Sequence, residues 1–274
     1  MEVKFVKMNP TQNMTILVES EVETGQRSRV ACELMDYASI FAEQVGFIEK
    51  PRNSSAWARL QMMGGEFCGN ATMSLAALLA LDKRLPHGQE VGIPVECSGA
   101  GQPVIVTVIP DCNSAICSLE LPPPHKVEKV IKKVDANEYQ VTQVDLDGIT
   151  HFIVQEEIVA ADHEQWAEKA IRQWAADCRT EALGLMLHRR GENYIRPLVM
   201  VKPTDSLVWE RGCGSGTAAV GSTLAWDAKK SIKAGIGQPG GVISVQADYE
   251  DERIVKVFIS GQVKLSARGM AYLD

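Results

Sequence analysis

Two of the seven cysteines stand in nearly the same phrase of the sequence, 145 residues apart. Cys68 lies in Glu-Phe-Cys-Gly-Asn-Ala-Thr and Cys213 in Arg-Gly-Cys-Gly-Ser-Gly-Thr. Each is followed by Gly, a small polar residue, a Thr four places on and an apolar run, 71–81 or 217–226. Runs that are apolar nearly all round predict helices buried within a domain. The repetition predicts a duplicated, two-domain protein with one cysteine at each helix entrance, where Asn70 and Ser215 are good capping residues.

A helix start favours a particular chemistry for these cysteines. Its unpaired N–H groups and partial positive charge stabilise thiolate over thiol, which predicts a reactive pair. The same N–H groups bind anions, and Gly69 and Gly214 allow a ligand to approach the backbone closely. Two such helix starts could hold a substrate carboxylate while one thiolate removes the proton from the adjacent carbon and the opposite thiol donates one to the other face. This inversion needs no cofactor and no metal.

Composition narrows the class of protein. The chain has 274 residues, 45% hydrophobic and 23% charged, with a formal charge of −7 and scattered basic residues. These values predict a globular protein that binds neither nucleic acid nor membrane. Its N-terminal residues alternate like a strand rather than a signal peptide, so we expect a cytoplasmic protein with reduced thiols. The remaining cysteines are expected to be small buried hydrophobic residues: Cys32, Cys97, Cys112, Cys117 and Cys178.

The paired cysteine phrases, with several shorter motifs, resemble the diaminopimelate epimerase family of racemases that work without pyridoxal phosphate. The likeness spans the chain and includes Asn9-Pro-Thr-Gln-Asn13, Gly148-Ile-Thr-His151, Trp209-Glu-Arg-Gly and Pro239-Gly-Gly. The resemblance implies an α/β (α+β) fold of two pseudosymmetric domains, each a curled mixed sheet around a central helix. It implies catalytic roles for Cys68 and Cys213. His151 could orient a substrate, but we expect a strand-end histidine whose ring is hydrogen-bonded by the backbone.

The sequence departs from the epimerase where that family fixes the far end of diaminopimelate. Ile149-Thr150 replaces Asn-Pro, Ala182 replaces an Asn, and Gly212 adjoins Cys213 directly. The phrases around Glu43, Cys68 and Cys213 are more similar to histidine racemases that supply D-histidine for opine-type metallophores such as staphylopine. That subgroup places the matching Glu43 near its active site, where a carboxylate could accept an imidazole N–H; a solvated glutamate at a helix end is the alternative. The resemblance implies an amino-acid substrate, a homodimer and these substrate-binding residues: Asn13, Glu43, Gly69, Asn70, Glu210, Gly214 and Ser215.

The element pattern divides the chain at Pro122-Pro-Pro124, a stiff connector. We predict domains at 1–121, with 263–274 returning to it, and at 125–262. Predicted strands lie at 3–8, 14–18, 94–97, 103–109, 114–121, 151–159, 195–201, 242–247 and 253–259, with an amphipathic helix at 162–176.

Three other functions stay open on sequence alone. A diaminopimelate epimerase would share the thiol pair. A cysteine hydrolase would use one cysteine as nucleophile and leave the second phrase unexplained. A non-catalytic metabolite-binding protein would tolerate the loss of either thiol.

Overall fold

A computed structural model of the protein describes residues 1–159, 162–202 and 205–274. The chain forms two compact units, residues 1–120 with 260–274 and residues 121–259. Within the described ranges, none of the helices combines the length and the hydropathy of a membrane-spanning segment.

The first unit contains seven strands and two helices before the chain leaves it. In order these are β1 (Glu2–Pro10), β2 (Thr15–Val18), α1 (Arg27–Met35), β3 (Gln44–Glu49), β4 (Arg59–Met62), α2 (Gly69–Asp82), β5 (Val91–Cys97), β6 (Val104–Pro110) and β7 (Ser114–Leu121).

The second unit repeats this mixture of strands and helices. Its elements are β8 (Lys126–Val134), β9 (Asn137–Leu146), β10 (Ile149–Gln155), α3 (His163–Ala175), β11 (Ala182–Arg189), β12 (Tyr194–Val201), β13 (Ser206–Trp209), α4 (Gly214–Ala228), β14 (Ile232–Gln238), β15 (Gly241–Glu250) and β16 (Arg253–Tyr272). The long strand β16 begins in this unit and ends in the first.

The sheet of the first unit closes on itself. Its strand order runs from β1 through β7 to β16, and β16 pairs back with β1 in antiparallel register, Val3 opposite Ala271. Two neighbouring pairs, β2–β3 and β4–β5, are parallel, and each is joined through a helix. Parallel neighbours need such a crossover, since a tight turn can join only antiparallel strands. The sequence therefore places α1 and α2 as the two crossovers of a closed mixed sheet.

Helix α2 lies on one face of this sheet and α1 on the other. α2 packs against β1 to β6 and is buried along nearly its whole length, from Asn70 to Ala80. α1 buries only Val30, Ala31 and Leu34, in a cluster with the side chains of β1 to β3 that face away from α2. The difference follows from sequence, because α2 is apolar all round and α1 has a single apolar stripe.

The second unit shows the same use of crossovers. Its strand order is β16, β15, β14, β12, β11, β10, β9, β8, with β13 paired to β12. The parallel pairs β10–β11 and β12–β14 are joined through α3 and α4. α4 packs against β15, β14 and β8 to β11, whereas α3 packs its Ile171 and Trp174 into a separate cluster with β10 and β11. The predicted mixed α/β class is confirmed, and the closed sheet adds a feature that the strand pattern did not give.

Candidate active site

Each of the two motif cysteines is the N-cap residue of a central helix. Cys68 precedes α2 with φ −127° and ψ 111°, and Cys213 precedes α4 with φ −112° and ψ 108°. The thiol sulfur of Cys68 accepts the N–H of Ala71 at 3.5 Å, and that of Cys213 accepts the N–H of Gly216 at 3.3 Å. The capping role predicted for Asn70 and Ser215 is wrong, because both lie inside the first turn and the thiols themselves supply the capping acceptor.

The threonine four residues after each cysteine completes the local geometry. Thr72 donates its hydroxyl to the carbonyl oxygen of Cys68 and Thr217 to that of Cys213, both at 2.7 Å. Both hydroxyls are buried. The shared Cys-Gly-x-x-Thr phrase thus encodes one bonding pattern twice, once in each unit.

In the first unit, a glutamine side chain holds the thiol of Cys68. The thiol donates to Oε1 of Gln44 at 2.8 Å, and the amide nitrogen of Gln44 donates to Oδ1 of Asn13 at 2.5 Å and to Oγ1 of Thr15 at 2.8 Å. Because the amide nitrogen is bound on both sides, the carbonyl oxygen is fixed toward the sulfur. Asn13 is therefore linked to Cys68 through Gln44, a residue that belongs to no motif in the sequence.

Asn13 is held in place by the turn between β1 and β2. Its backbone N–H donates to Pro10 at 3.0 Å, and its side chain is 3% exposed. The two residues before it, Thr11 and Gln12, have φ of +52° and +61°. Positive φ at both positions gives the twist that a tight antiparallel hairpin requires, at some conformational cost for residues other than glycine.

Glu43 lies immediately before β3, next to Gln44. Its backbone N–H donates to Met14 at 2.8 Å, and its carboxylate oxygen Oε2 is buried. The alternative of a solvated glutamate at a helix end is wrong, since the residue leads into a strand. Glu43 therefore directly precedes Gln44, the residue whose side chain accepts a hydrogen bond from the Cys68 thiol.

In the second unit, a different glutamine supports the backbone of Cys213. Oε1 of Gln238 accepts the N–H of Cys213 at 2.6 Å, while its amide nitrogen donates to Thr217 at 2.7 Å. Gln238 is 4% exposed and ends β14 just before the Pro239-Gly-Gly turn. The hydroxyl of Ser215 lies 3.6 Å from the thiol sulfur.

The environment of Cys213 favours a protonated thiol. Burial, and then the nearby Glu210 carboxylate to which the thiol is hydrogen-bonded, raise the pKa of Cys213 well above its ordinary value. The Ser215 hydroxyl and the Gly216 N–H act in the opposite direction but do not prevail. At Cys213, desolvation and a neighbouring negative charge outweigh the stabilisation of the thiolate by the helix start.

The space around the Cys213 sulfur is closely packed. A Cβ at Gly216 would lie 2.4 Å from the Sδ of Met186 and 3.1 Å from the Sγ of Cys213. The matching position in the first unit is Ala71. The absence of a side chain at Gly216 thus leaves room for the sulfur of Met186, in addition to its place at the helix start.

Behind Met186, His151 lies fully buried on β10. Its ring packs on Gly184, where a Cβ would lie 2.0 Å from Nδ1, and neither ring nitrogen has a hydrogen-bond partner among the described residues. Burial lowers the pKa of His151 to about 3. The expected backbone hydrogen bond is wrong, and the ring is neutral over the physiological range.

The five other cysteines do not all behave as small core residues. Cys97 and Cys117 are buried, and burial raises their pKa values to about 11 and about 12. Cys178 is half-buried, and Cys32 and Cys112 are exposed, which corrects the expectation for these three. Cys32 lies on the polar face of α1, and Cys112 lies in the turn after β6.

Comparison with known proteins assigns the chain to a family. Residues 2–272 match the model of the family described as histidine racemase CntK N-terminal domain. The chain belongs to this histidine racemase family. The histidine racemase of Staphylococcus aureus (strain Mu50 / ATCC 700699) is 30% identical over 274 residues, 99% of this chain and 98% of the relative. That of Fusobacterium nucleatum subsp. nucleatum (strain ATCC 23726 / VPI 4351) is 30% identical over 98% of this chain and 97% of its own length.

Solved structures support the fold of the histidine racemase family member described above. A hydroxyproline epimerase from Agrobacterium vitis superposes with a TM-score of 0.72 at 11% identity, covering 100% of this chain and 93% of that one. A probable proline racemase from Agrobacterium radiobacter K84 gives 0.69 at 12% identity, covering 99% and 93%. At these identities the likeness concerns the fold. Family membership confirms the prediction of a racemase-type isomerase and supports an amino acid as its substrate.

Proposed function

We propose that the protein interconverts L- and D-histidine, using Cys68 and Cys213 as an acid–base pair on opposite faces of the α-carbon. The observation that carries the proposal is the recurrence of a cysteine that caps a central helix through its thiol, once in each unit of a histidine racemase family member. A thiol held at a helix start by its own backbone has a fixed direction. Such a group can exchange a proton with one defined face of a substrate.

In the proposed reaction, one thiolate takes the α-proton. The electron pair of the broken C–H bond stays on the α-carbon and is delocalised into the carboxylate. The opposite thiol then delivers its proton to the other face and becomes a thiolate. Backbone N–H groups at the two helix starts, of Gly69, Asn70, Gly214 and Ser215, stabilise the charge that grows on the carboxylate. Solvent exchange afterwards restores the starting protonation of the pair.

The two thiols have different hydrogen-bond partners, which supports different protonation states before the reaction. Cys213 lies beside the Glu210 carboxylate that raises its pKa, whereas Cys68 donates to the neutral amide of Gln44. We infer that Cys213 begins as the proton donor, and that Cys68 must first lose the proton that it donates to Gln44 before it can act as the base. Asn13 takes part by fixing the orientation of Gln44.

Isotope labelling tests the two-thiol reaction. L-Histidine is incubated with the purified protein in deuterated buffer without pyridoxal phosphate, and early product is examined by mass spectrometry after chiral separation. We expect α-deuterium in D-histidine and little in the recovered L-histidine, because the sulfur that returns a proton to the original face has just taken it. Transfer of substrate protium into early D-histidine would contradict the two-thiol reaction.

The substrate side chain is the finer part of the proposal. We place Glu43 against the imidazole, since the residue is half-buried with a buried carboxylate oxygen and directly precedes Gln44, which accepts a hydrogen bond from the Cys68 thiol. Glu43→Gln should reduce kcat/KM for histidine more than for any aliphatic amino acid that turns over slowly, because only imidazole offers an N–H to the carboxylate. Equal losses for all substrates would assign Glu43 a structural part. Turnover of diaminopimelate without histidine turnover would favour the epimerase alternative.

We further propose a cytoplasmic homodimer with the diaminopimelate epimerase-like fold, which supplies D-histidine for metallophore synthesis. Support comes from the resemblance of the paired motifs and from the family match. In this proposal the domains are 1–121 with 263–274, and 125–262. Light scattering coupled to size exclusion tests the dimer, and a crystal structure tests the fold.

A further inference from the structure

A second group of chemically active side chains lies in the first unit, away from Cys68 in the sequence. His87, in the turn after α2, meets Asp111 and Cys112 in the turn after β6. One ligand atom from each, an imidazole nitrogen, a carboxylate oxygen and the thiol sulfur, all lie within 4.8 Å of one another. All three residues are exposed, so no packing role explains their meeting.

Backbone hydrogen bonds hold the two turns together. The N–H of Gly88, the residue after His87, donates to the carbonyl of Pro110, the residue before Asp111, at 2.8 Å. Gly88 has φ +70°, a conformation that favours glycine. The second turn is closed by the N–H of Asp111 on Ser114 at 2.8 Å, and Asn113 accepts the N–H of Leu265 at 2.9 Å. The three side chains therefore start from fixed backbone positions.

The donor set selects a kind of metal ion. Thiolate and imidazole are ligands of borderline ions such as Zn²⁺, whereas Mg²⁺ and Ca²⁺ prefer oxygen alone. In tetrahedral zinc sites the bond lengths put ligand atoms roughly 3.4–3.6 Å apart. Zinc binding therefore requires the three exposed side chains to close from within 4.8 Å to that spacing, with water as the fourth ligand.

We propose that His87, Asp111 and Cys112 form a zinc site distinct from the proposed catalytic cysteines Cys68 and Cys213. Binding displaces one proton from the Cys112 thiol to the buffer and leaves a Zn–S bond, so affinity rises with pH. The site joins the α2–β5 turn to the β6–β7 turn. It is independent of the proposed histidine reaction, because none of its residues belongs to that machinery.

Calorimetry on the untagged full-length protein, stripped with EDTA and desalted, tests the site with Zn²⁺ alone. We expect Cys112→Ser and His87→Ala each to weaken one Zn²⁺ binding event at least tenfold, and Asp111→Asn to weaken it less. The matched controls are Cys32→Ser, another exposed cysteine, and His125→Gln, another exposed histidine. Both controls should bind as the unchanged protein does.

Cobalt gives a second readout that follows the sulfur directly. Co²⁺ added to the stripped protein should produce a thiolate-to-cobalt charge-transfer band that is lost in Cys112→Ser and kept in Cys32→Ser. Racemase activity should be the same in all these variants. The proposal would be overturned if zinc affinity and the cobalt spectrum were unchanged in both Cys112→Ser and His87→Ala. Metal binding by Cys68 alone would give that result.

Discussion

At the residue scale, the thiols of Cys68 and Cys213 have two functions that one substitution can separate. Each accepts a backbone N–H at the start of its helix, so alanine removes a cap worth about 0.5–2 kcal/mol as well as the proposed proton carrier. Serine keeps a capping acceptor but holds its proton too tightly to act as a base. Cys68→Ser and Cys213→Ser are therefore the sharper tests.

We expect either serine variant to lose about 10²–10⁴-fold in kcat for histidine racemisation, the usual contribution of general acid–base catalysis. Circular dichroism and the unfolding midpoint should stay near those of the unchanged protein. Cys32→Ser, on an exposed surface, is the control and should retain activity. Substantial activity in either motif variant would contradict the paired mechanism.

The carboxylate beside Cys213 gives a prediction about pH. Glu210 raises the pKa of Cys213, second only to burial, so Glu210→Gln should lower that pKa and allow alkylation of Cys213 at lower pH. Peptide-level mass spectrometry after iodoacetamide treatment over a pH series measures this residue separately from the other cysteines. Glu192→Gln, whose carboxylate pairs with Arg189, should not move the midpoint. An unchanged midpoint in Glu210→Gln would show that burial alone sets the pKa.

At the scale of elements, α2 and α4 were predictable because each is apolar nearly all round and follows a cysteine phrase. Strands β8 and β9 were missed, since β8 is largely exposed and rich in lysine, which removes the apolar alternation. β11 was missed for the opposite reason: it is buried on both faces and shows no alternation at all. Gln44 and Gln238 could not be assigned because a single glutamine at a strand end forms no motif; only the pairing of distant strands reveals its partner.

The packing of α4 against β11 gives a prediction at this scale. Gly216→Ala would place a methyl group 2.4 Å from the Sδ of Met186, so Met186 or the Cys213 thiol must move. We expect a loss of about 1–3 kcal/mol in the free energy of unfolding, the usual cost of overpacking, with a fall in kcat. Denaturant unfolding measures the first and the histidine assay the second. Gly191→Ala, where a Cβ meets nothing within 4 Å, is the matched control and should be nearly neutral.

For the whole molecule, two buried histidines make stability depend on pH. Burial lowers the pKa of His151 to about 3 and that of His188 to about 4, whereas an unfolded histidine titrates near 6.5. Below pH 6.5 the unfolded chain therefore binds protons that the folded chain does not. Stability is fully present above this pH and decreases as the pH falls toward the folded pKa values.

Between pH 7.5 and pH 5, each histidine should reduce the free energy of unfolding by about 2 kcal/mol. Urea titrations at several pH values measure the slope, and His188→Gln should remove about half of it. A free energy of unfolding that stays level over this interval would mean that the two rings gain protons while still folded.

The pairing of β1 with β16 also has a consequence for how the chain is made on the ribosome. The sheet of the first unit cannot close until β16 is synthesised, after the entire second unit, because Val3 of β1 pairs with Ala271 of β16. Until then β1 and β7 are open edges of an incomplete sheet, the kind of surface on which nascent chains associate. The N-terminal segment, although translated first, is expected to reach its native state late and to depend on chaperones that shield those two edges in the interval.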